Sequence, residues 1–215
     1  MSPVLDTKLF GEVFATLLVI MDPLGTVPLF LGLTSGRTDR ARARMSAQAV
    51  GVAFVVISLF AIAGRQILVY LGISVPALQA AGGLLLVLVA LELLTGKQDE
   101  PSQVSDVNVA LVPLGTPLLA GPGAIVATIV FVRNAQHAKH AVAAYLAIAC
   151  AVVAVHLVLW VALRYSVFVI RLIKESGIVL LTRISGLLLS AIAVQLVADA
   201  IAAFVHGGTA GGGGP

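Results

Sequence analysis

Six runs of roughly 20 apolar residues, parted by short polar stretches, constrain this chain more than any other feature, because about 20 such residues form one helical crossing of a bilayer. They lie at about Leu9–Leu33, Met45–Gly64 (continuing past Arg65 towards Leu71), Pro76–Thr95, Val109–Val132, Ala141–Leu163 and Ile178–Val205. Hydrophobic residues make up 60% of the 215 residues and charged residues 11%, against roughly 45–50% and about 25% in soluble domains. Mean hydropathy is +1.09. A soluble fold of this size leaves about 30% of its chain's surface wet, too much to hide such a composition. The runs are also too long, and lack the alternation of the ~10-residue strands of membrane barrels. The expected class is an all-α membrane protein.

Charge sets the expected orientation. With six crossings, Lys8, Arg65, Arg133 and Lys139 share one side with both termini. The other side holds Arg37, Arg40, Arg42, Arg44, Lys97, Arg164, Arg171, Lys174 and Arg183. The basic-rich side is cytoplasmic by the positive-inside rule, so both termini are expected outside. Trp160 and Tyr165 suit an interfacial belt near the inner end of the fifth helix. The formal charge of +3 is spread over short loops, without the basic stripe that binds nucleic acid. Met1–Phe10 lacks a basic segment and cleavage site, so the first run is expected to stay as an uncleaved insertion signal.

The two halves repeat. Pro23-Leu24-Gly25-Thr26 recurs as Pro113-Leu114-Gly115-Thr116, each followed by a Pro-Leu pair. Gly83-Leu84-Leu85-Leu86, leading to Ala90 and Glu92, recurs as Gly186-Leu187-Leu188-Leu189, leading to Ala193 and Gln195. Three helices per copy is an odd number, so the second copy inserts upside down. The expectation is a single six-helix domain over residues 1–206, built as two inverted repeats, 9–95 and 109–205. The polar stretch 96–108 is the hinge, and the glycine-rich 207–215 is expected to be a disordered tail.

Helices one and four carry clustered breakers: Pro23, Gly25 and Pro28 in the first, and Pro113, Gly115, Pro117 and Gly121-Pro122-Gly123 in the fourth. Each proline lacks an N–H and obstructs the carbonyl four residues back. Freed backbone groups at membrane depth must be buried in protein or line a wet cavity, so both helices are expected to be broken at a binding site. Half-helix N-termini favour a carboxylate; freed carbonyls favour a cation or ammonium. Asp22 is the only carboxylate near the centre of a run, where an unpaired charge costs roughly 2.5–3.5 kcal/mol. It can bind a cation, carry a proton, recognise an ammonium, or cap the half-helix that starts at Pro23. Thr26 and Thr116 hold matching positions, as substrate ligands or as hydroxyls bonded back to the preceding turn.

The candidate substrate or ion site is therefore Asp22, Pro23, Gly25, Thr26, Thr116, Gly121, Pro122 and Gly123, with Glu92, His156 and Gln195 as secondary candidates. Against these stand ordinary roles: an interfacial carboxylate for Glu92, a hydrogen-bonded core histidine for His156, and a cross-helix hydrogen bond for Gln195. Asp199 is expected to be solvated, Arg183 to snorkel to the interface, and Gly82, Gly83 and Gly186 to permit close helix packing. HExxH, paired cysteines, a Walker loop and GxSxG are all missing, so no catalytic residue, metal site or cofactor is assigned. His137 and His140 have no carboxylate or cysteine beside them, and Cys150 is the single cysteine.

These motifs resemble those of the MarC family. Asp22-Pro23-Leu24-Gly25-Thr26-Val27-Pro28 is similar to its first-helix signature, which admits Asn or Asp at the first position. Pro113–Ala124 resembles the signature ending in Gly-Pro-Gly, and Ala81-Gly82-Gly83 the third-helix motif. Thr182-Arg183-Ile184-Ser185-Gly186 and Ala193-Val194-Gln195 resemble its sixth helix. The resemblance spans about Phe10–Phe204 and implies a multi-pass bacterial inner-membrane protein related to amino-acid exporters. With the broken helices, it makes a secondary transporter of small neutral amino acids such as glycine and alanine the leading reading, with the proton and sodium as candidate coupling ions. The alternative is an exporter or channel for another small solute or ion, ahead of a membrane regulator or an intramembrane enzyme. The lipid bilayer, the solute and the coupling ion are the expected partners, and a homo-oligomer is compatible with the sequence.

Overall fold

The computed structural model describes residues 6–96, 119–136, 138 and 140–208, and among these the regular structure is entirely helical. Seven helices follow one another: α1 Thr7–Met21, α2 Thr26–Leu33, α3 Asp39–Tyr70, α4 Val75–Thr95, α5 Pro122–Gln136, α6 Ala141–Arg164 and α7 Ser166–Gly208. Side chains cap them where the sequence offers an oxygen. Asp6 accepts from the Leu9 amide at 3.0 Å, Thr38 from Ala41 at 3.3 Å and Ser74 from Ala77 at 3.2 Å. Pro76 sits in the first turn of α4, where its missing N–H is harmless, and Gly96 closes the helix at φ +70°.

Among the described residues, four helices are long and apolar enough to cross a membrane: Asp39–Gly64 of α3, α4, α6, and Ser176–Val205 of α7. The first expected span is present as the pair α1 and α2, bent by 46° at a short break. Of the expected fourth span, residues 109–118 lie outside the described residues, and so do Pro113, Gly115, Thr116, Pro117, the hinge 97–108 and the tail 209–215. Gly123–Gln136 is apolar but short of a full crossing.

Three expectations need correction. The loop expected up to Arg44 ends sooner, because Thr38 caps α3 and Asp39 opens it. Arg40, Arg42 and Arg44 therefore stand on the first turns of a helix, with Arg42 bonded to Asp39 at 3.2 Å. The linker after α6 is itself helical from Ser166, and α7 turns at Lys174, whose backbone leaves the helical region (φ 60°, ψ 161°). The helix also runs to Gly208, two residues into the stretch expected to be a tail.

α6 is the central strut. Half of its apolar window is buried inside the protein, against 22–28% for the other three long spans. Its alanines, Ala144, Ala147 and Ala151, are at most 1% exposed and let neighbours approach closely. The main core joins Leu17 and Met21 of α1, Phe30 of α2, Ile57 of α3, Ala124 of α5 and Leu159 of α6. A second cluster belongs to α4 and α7: Leu86, Ala90 and Leu93 against Leu189 and Ala193.

The α4–α7 contact is the most extensive among the described helices. A Cβ on Gly83 would stand 2.8 Å from the Ala193 carbonyl oxygen, and one on Gly186 would stand 3.2 Å from that of Ala90. Each glycine thus lets its helix touch the partner's backbone, as expected for Gly83 and Gly186. Filling either position should separate the helices at about 1–3 kcal/mol. Gly83→Val and Gly186→Val should each lower thermal stability in detergent. Gly51→Val, at a position with nothing within 4 Å, should not. Equal melting temperatures for the three variants would refute this packing.

Candidate functional site

The break in helix one begins with a proline. Pro23 cannot donate to the carbonyl of Val19, and α1 ends with Asp22 in the left-handed region (φ 35°, ψ 72°), which Asp tolerates better than most residues. The Asp22 amide still reaches Leu18 O at 3.1 Å. Regular bonding resumes at once: the Thr26 amide donates to Asp22 O at 3.0 Å and Val27 to Leu24 O at 3.2 Å. The break is therefore tighter than the Pro23–Pro28 stretch that the prolines suggest. Pro28 falls in the first turn of α2, where a missing donor costs little.

Asp22 divides its labour between its two oxygens. Oδ1 accepts the Gly25 amide at 3.2 Å, which is the capping role open to it from sequence. Oδ2 is buried without a hydrogen-bond partner among the described residues, and the residue as a whole is 8% exposed. Thr26 Oγ1 bonds back to Asp22 O at 2.8 Å and reaches towards Met21 O at 3.4 Å. Its hydroxyl thus serves the break itself. The amides of Gly25, Thr26 and Val27, the donors that a substrate carboxylate would need at the start of α2, are all engaged within this turn.

The second wall of the site comes from α7. The Ser185 hydroxyl faces the Asp22 carboxyl group. A Cβ on Gly25 would lie 2.9 Å from Asp22 Cγ and 3.1 Å from Thr182 Oγ1, and would collide with Oδ2. Glycine here leaves the carboxylate and the α7 hydroxyls room to face each other. A cavity of about 370 Å³ adjoins them, lined by Gly25, Pro28, Glu92, Leu93, Gly96, Ile170, Ile178, Val179, Thr182 and Arg183. Asp22 stands next to this cavity, against Gly25. Glu92 and Arg183 share its wall, and neither forms an ion pair among the described residues.

The remaining candidates do not gather here. Gly123 packs against Leu86 of α4, with 2.7 Å between its would-be Cβ and Leu86 Cγ. Pro122 opens α5, and the Gly121 carbonyl accepts the Ile125 amide at 3.2 Å. This stretch supports the α4–α5 contact and does not line the cavity beside Asp22. His156 Nδ1 lies 2.7 Å from Val152 O, with its ring edge-on to Phe54 at 5.2 Å. It belongs to the α3–α6 core. Gln195 bonds Asp199 on its own helix at 2.8 Å, which corrects the expected cross-helix bond and gives Asp199 a partner. Gln195 lines a separate cavity with Thr16 and Phe131. Thr182 and Ser185 stand in the sixth-helix motif but were not singled out from sequence as site residues. The available signal was the Thr182–Ser185–Gly186 spacing, which puts both hydroxyls on one helix face with the packing glycine.

Comparison with known proteins agrees with this architecture. Residues 7–205 match the model of the MarC family integral membrane proteins. A membrane protein of Methanocaldococcus jannaschii is 34% identical over 204 residues, covering 92% of this chain and 98% of its own. The membrane protein YhcE of Escherichia coli is 32% identical over 206 residues, 91% of this chain and 93% of its own. An inner membrane protein MarC of Citrobacter koseri is 31% identical over 212 residues, 90% and 94% of the two chains. No solved structure matches. A family match across nearly every described helix, with relatives covered almost end to end, places this chain in the MarC family of integral membrane proteins.

Proposed function

We propose that this chain is a secondary transporter that carries a small neutral amino acid across the inner membrane through the cavity beside the helix-one break. The observation that carries the reading is the cavity itself: opposite charges, Glu92 and Arg183, face it together with Thr182 at a broken helix. Arg183 suits the substrate carboxylate and Glu92 the ammonium. This replaces the α2 amides as carboxylate ligands, since those are engaged with Asp22.

Alternating access is the proposed mechanism, on an inverted repeat. Gly83 meets Ala193 while Gly186 meets Ala90. The aligned repeats pair Gly83 with Gly186 and Ala90 with Ala193, so the two contacts exchange under a two-fold rotation. A second cavity of about 520 Å³ lies at the opposite end of α4, lined by Gln66, Ser74, Pro76 and Arg133 among others. Rocking of one repeat on the other would open these two cavities in turn.

Counterflow of labelled glycine and alanine in proteoliposomes tests the substrate. The wild type should exchange both. Arg183→Ala should raise the half-saturation concentration about tenfold or more, as loss of a charged hydrogen bond worth about 1.5–3 kcal/mol requires. Exchange of neither amino acid would refute the substrate assignment. Orientation is tested separately by fusions at the C-terminus. A phosphatase fusion should be active and a fluorescent-protein fusion dark, and the reverse pattern would invert the orientation.

A further inference from the structure

We infer that the helix-one break and the facing surface of α7 form a binding site for one dehydrated monovalent cation of sodium's size. Its ligands are Asp22 Oδ2 and the hydroxyls of Thr182 and Ser185. The inference takes the broken-helix site above as its frame, and holds whether or not the solute is an amino acid.

The argument starts from which groups remain unused. The amides of Gly25, Thr26 and Val27 are bonded within the turn, which leaves the Leu24 amide as the one main-chain donor there without a hydrogen bond among the described residues. Besides that amide, what the break leaves over is acceptors. Asp22 Oδ2 is buried and without a partner among the described residues. The carbonyl of Val19 has lost its donor to Pro23, and no amide among the described residues reaches that of Ile20. These carbonyls belong to the last turn of α1, where the helix dipole is negative. Thr182 Oγ1 and the Asp22 carboxyl group both crowd the position that a Cβ on Gly25 would take, and glycine leaves that position empty. Ser185 faces the same carboxyl. Hydroxyls, a carboxylate and main-chain carbonyls are the ligand types of hard cations, at roughly 2.3–2.6 Å for an ion of calcium's radius, which sodium shares.

Charge selects the valence. A single carboxylate balances one positive charge, and no cluster of three acidic, histidine or cysteine residues occurs among the described residues to hold a divalent ion. The placement also suggests coupling. Asp22 belongs to the first half of the chain, Thr182 and Ser185 to the second. An ion held by both would favour whichever arrangement brings the halves together, and would shift the population by its differential affinity.

The test is binding of radioactive sodium to the full-length protein in detergent at pH 8, with choline as the background salt and no amino acid added. The wild type should bind saturably, with displacement by unlabelled sodium and lithium but not by equal potassium. Asp22→Asn retains an oxygen to accept the Gly25 amide, so it should keep the wild-type melting temperature and lose at least tenfold in affinity. Thr182→Val with Ser185→Ala should lose as much with the carboxylate intact, which guards against a misfolded Asp22 variant. Ser190→Ala, on the same helix but bonded to Leu187 O at 2.7 Å, should bind like wild type. Absence of saturable sodium binding in the wild type would overturn the inference, including the outcome in which Asp22 carries only a proton. Undiminished binding in either site variant would overturn it as well. Sodium binding without amino-acid exchange would count against the proposed substrate alone. Exchange indifferent to sodium, without sodium binding, would count against the cation site alone.

Discussion

A main-chain polar group left without a partner in hydrocarbon costs several kcal/mol, and the architecture around helix one depends on meeting that cost locally. Pro23 interrupts the helix, yet few groups are stranded. Asp22 turns its backbone into the left-handed region and accepts the Gly25 amide, while Thr26 donates to Asp22 O. The two side chains replace most of the bonding that the proline removes. The bend of 46° follows from this compact turn, and it presents Gly25 to the cavity and to α7.

That presentation needs α7 held close, which is the task of the glycines on α4 and α7. Lipid gives little hydrophobic drive for one helix to prefer another over acyl chains, so intimate backbone contact has to supply the attraction. Gly83 and Gly186 provide it at two points along the same helix pair, while Gly82 and Gly123 make room between α4 and α5 for the side chains of Val126 and Leu86. α4 is thereby fixed to helices of the second half on two sides. Through α7, this packing sets where Thr182 and Ser185 stand relative to Asp22.

The elements were legible from sequence to the degree that bilayer thickness dictates them. α4, α6 and the long part of α7 fall within two residues of the apolar runs, because charge and proline mark their ends. The break was legible because an Asp-Pro pair inside an apolar run combines a lost main-chain donor with a side chain that can cap the turn it creates. The start of α3 was misjudged. Its arginines looked like a loop, although Thr38-Asp39 is an ordinary helix start and arginine is a good helix former. Thr182 and Ser185 escaped because their partner lies some 160 residues away in the chain, and hydroxyls on membrane helices by default bond to their own backbone. Gln195 was misread for a related reason. Asp199 sits four residues on, and such a neighbour on the same helix forestalls a partner on another.

The two oxygens of Asp22 have different justifications. Oδ1 does what an asparagine would do equally well, since Asn and Asp cap helices about equally, and the signature that this segment resembles admits either residue. Capping therefore explains why the position is Asn or Asp, but not why it is Asp here. A carboxylate in mid-membrane costs roughly 2.5–3.5 kcal/mol, and the bond from the Gly25 amide to Oδ1, though stronger to a carboxylate than to an amide oxygen, returns only part of it. The difference lies at Oδ2, which in Asn would be an amide nitrogen: a donor facing the hydroxyls of α7, beside carbonyls that repel no donor. Asp puts an anionic acceptor there, facing the hydroxyls of Thr182 and Ser185. Each hydroxyl can donate to it or, by turning, stand with it as an oxygen ligand of a small positive charge. With the cation site inferred above, the choice of Asp over Asn is a choice of ligand, made at a position whose structural need either residue could meet.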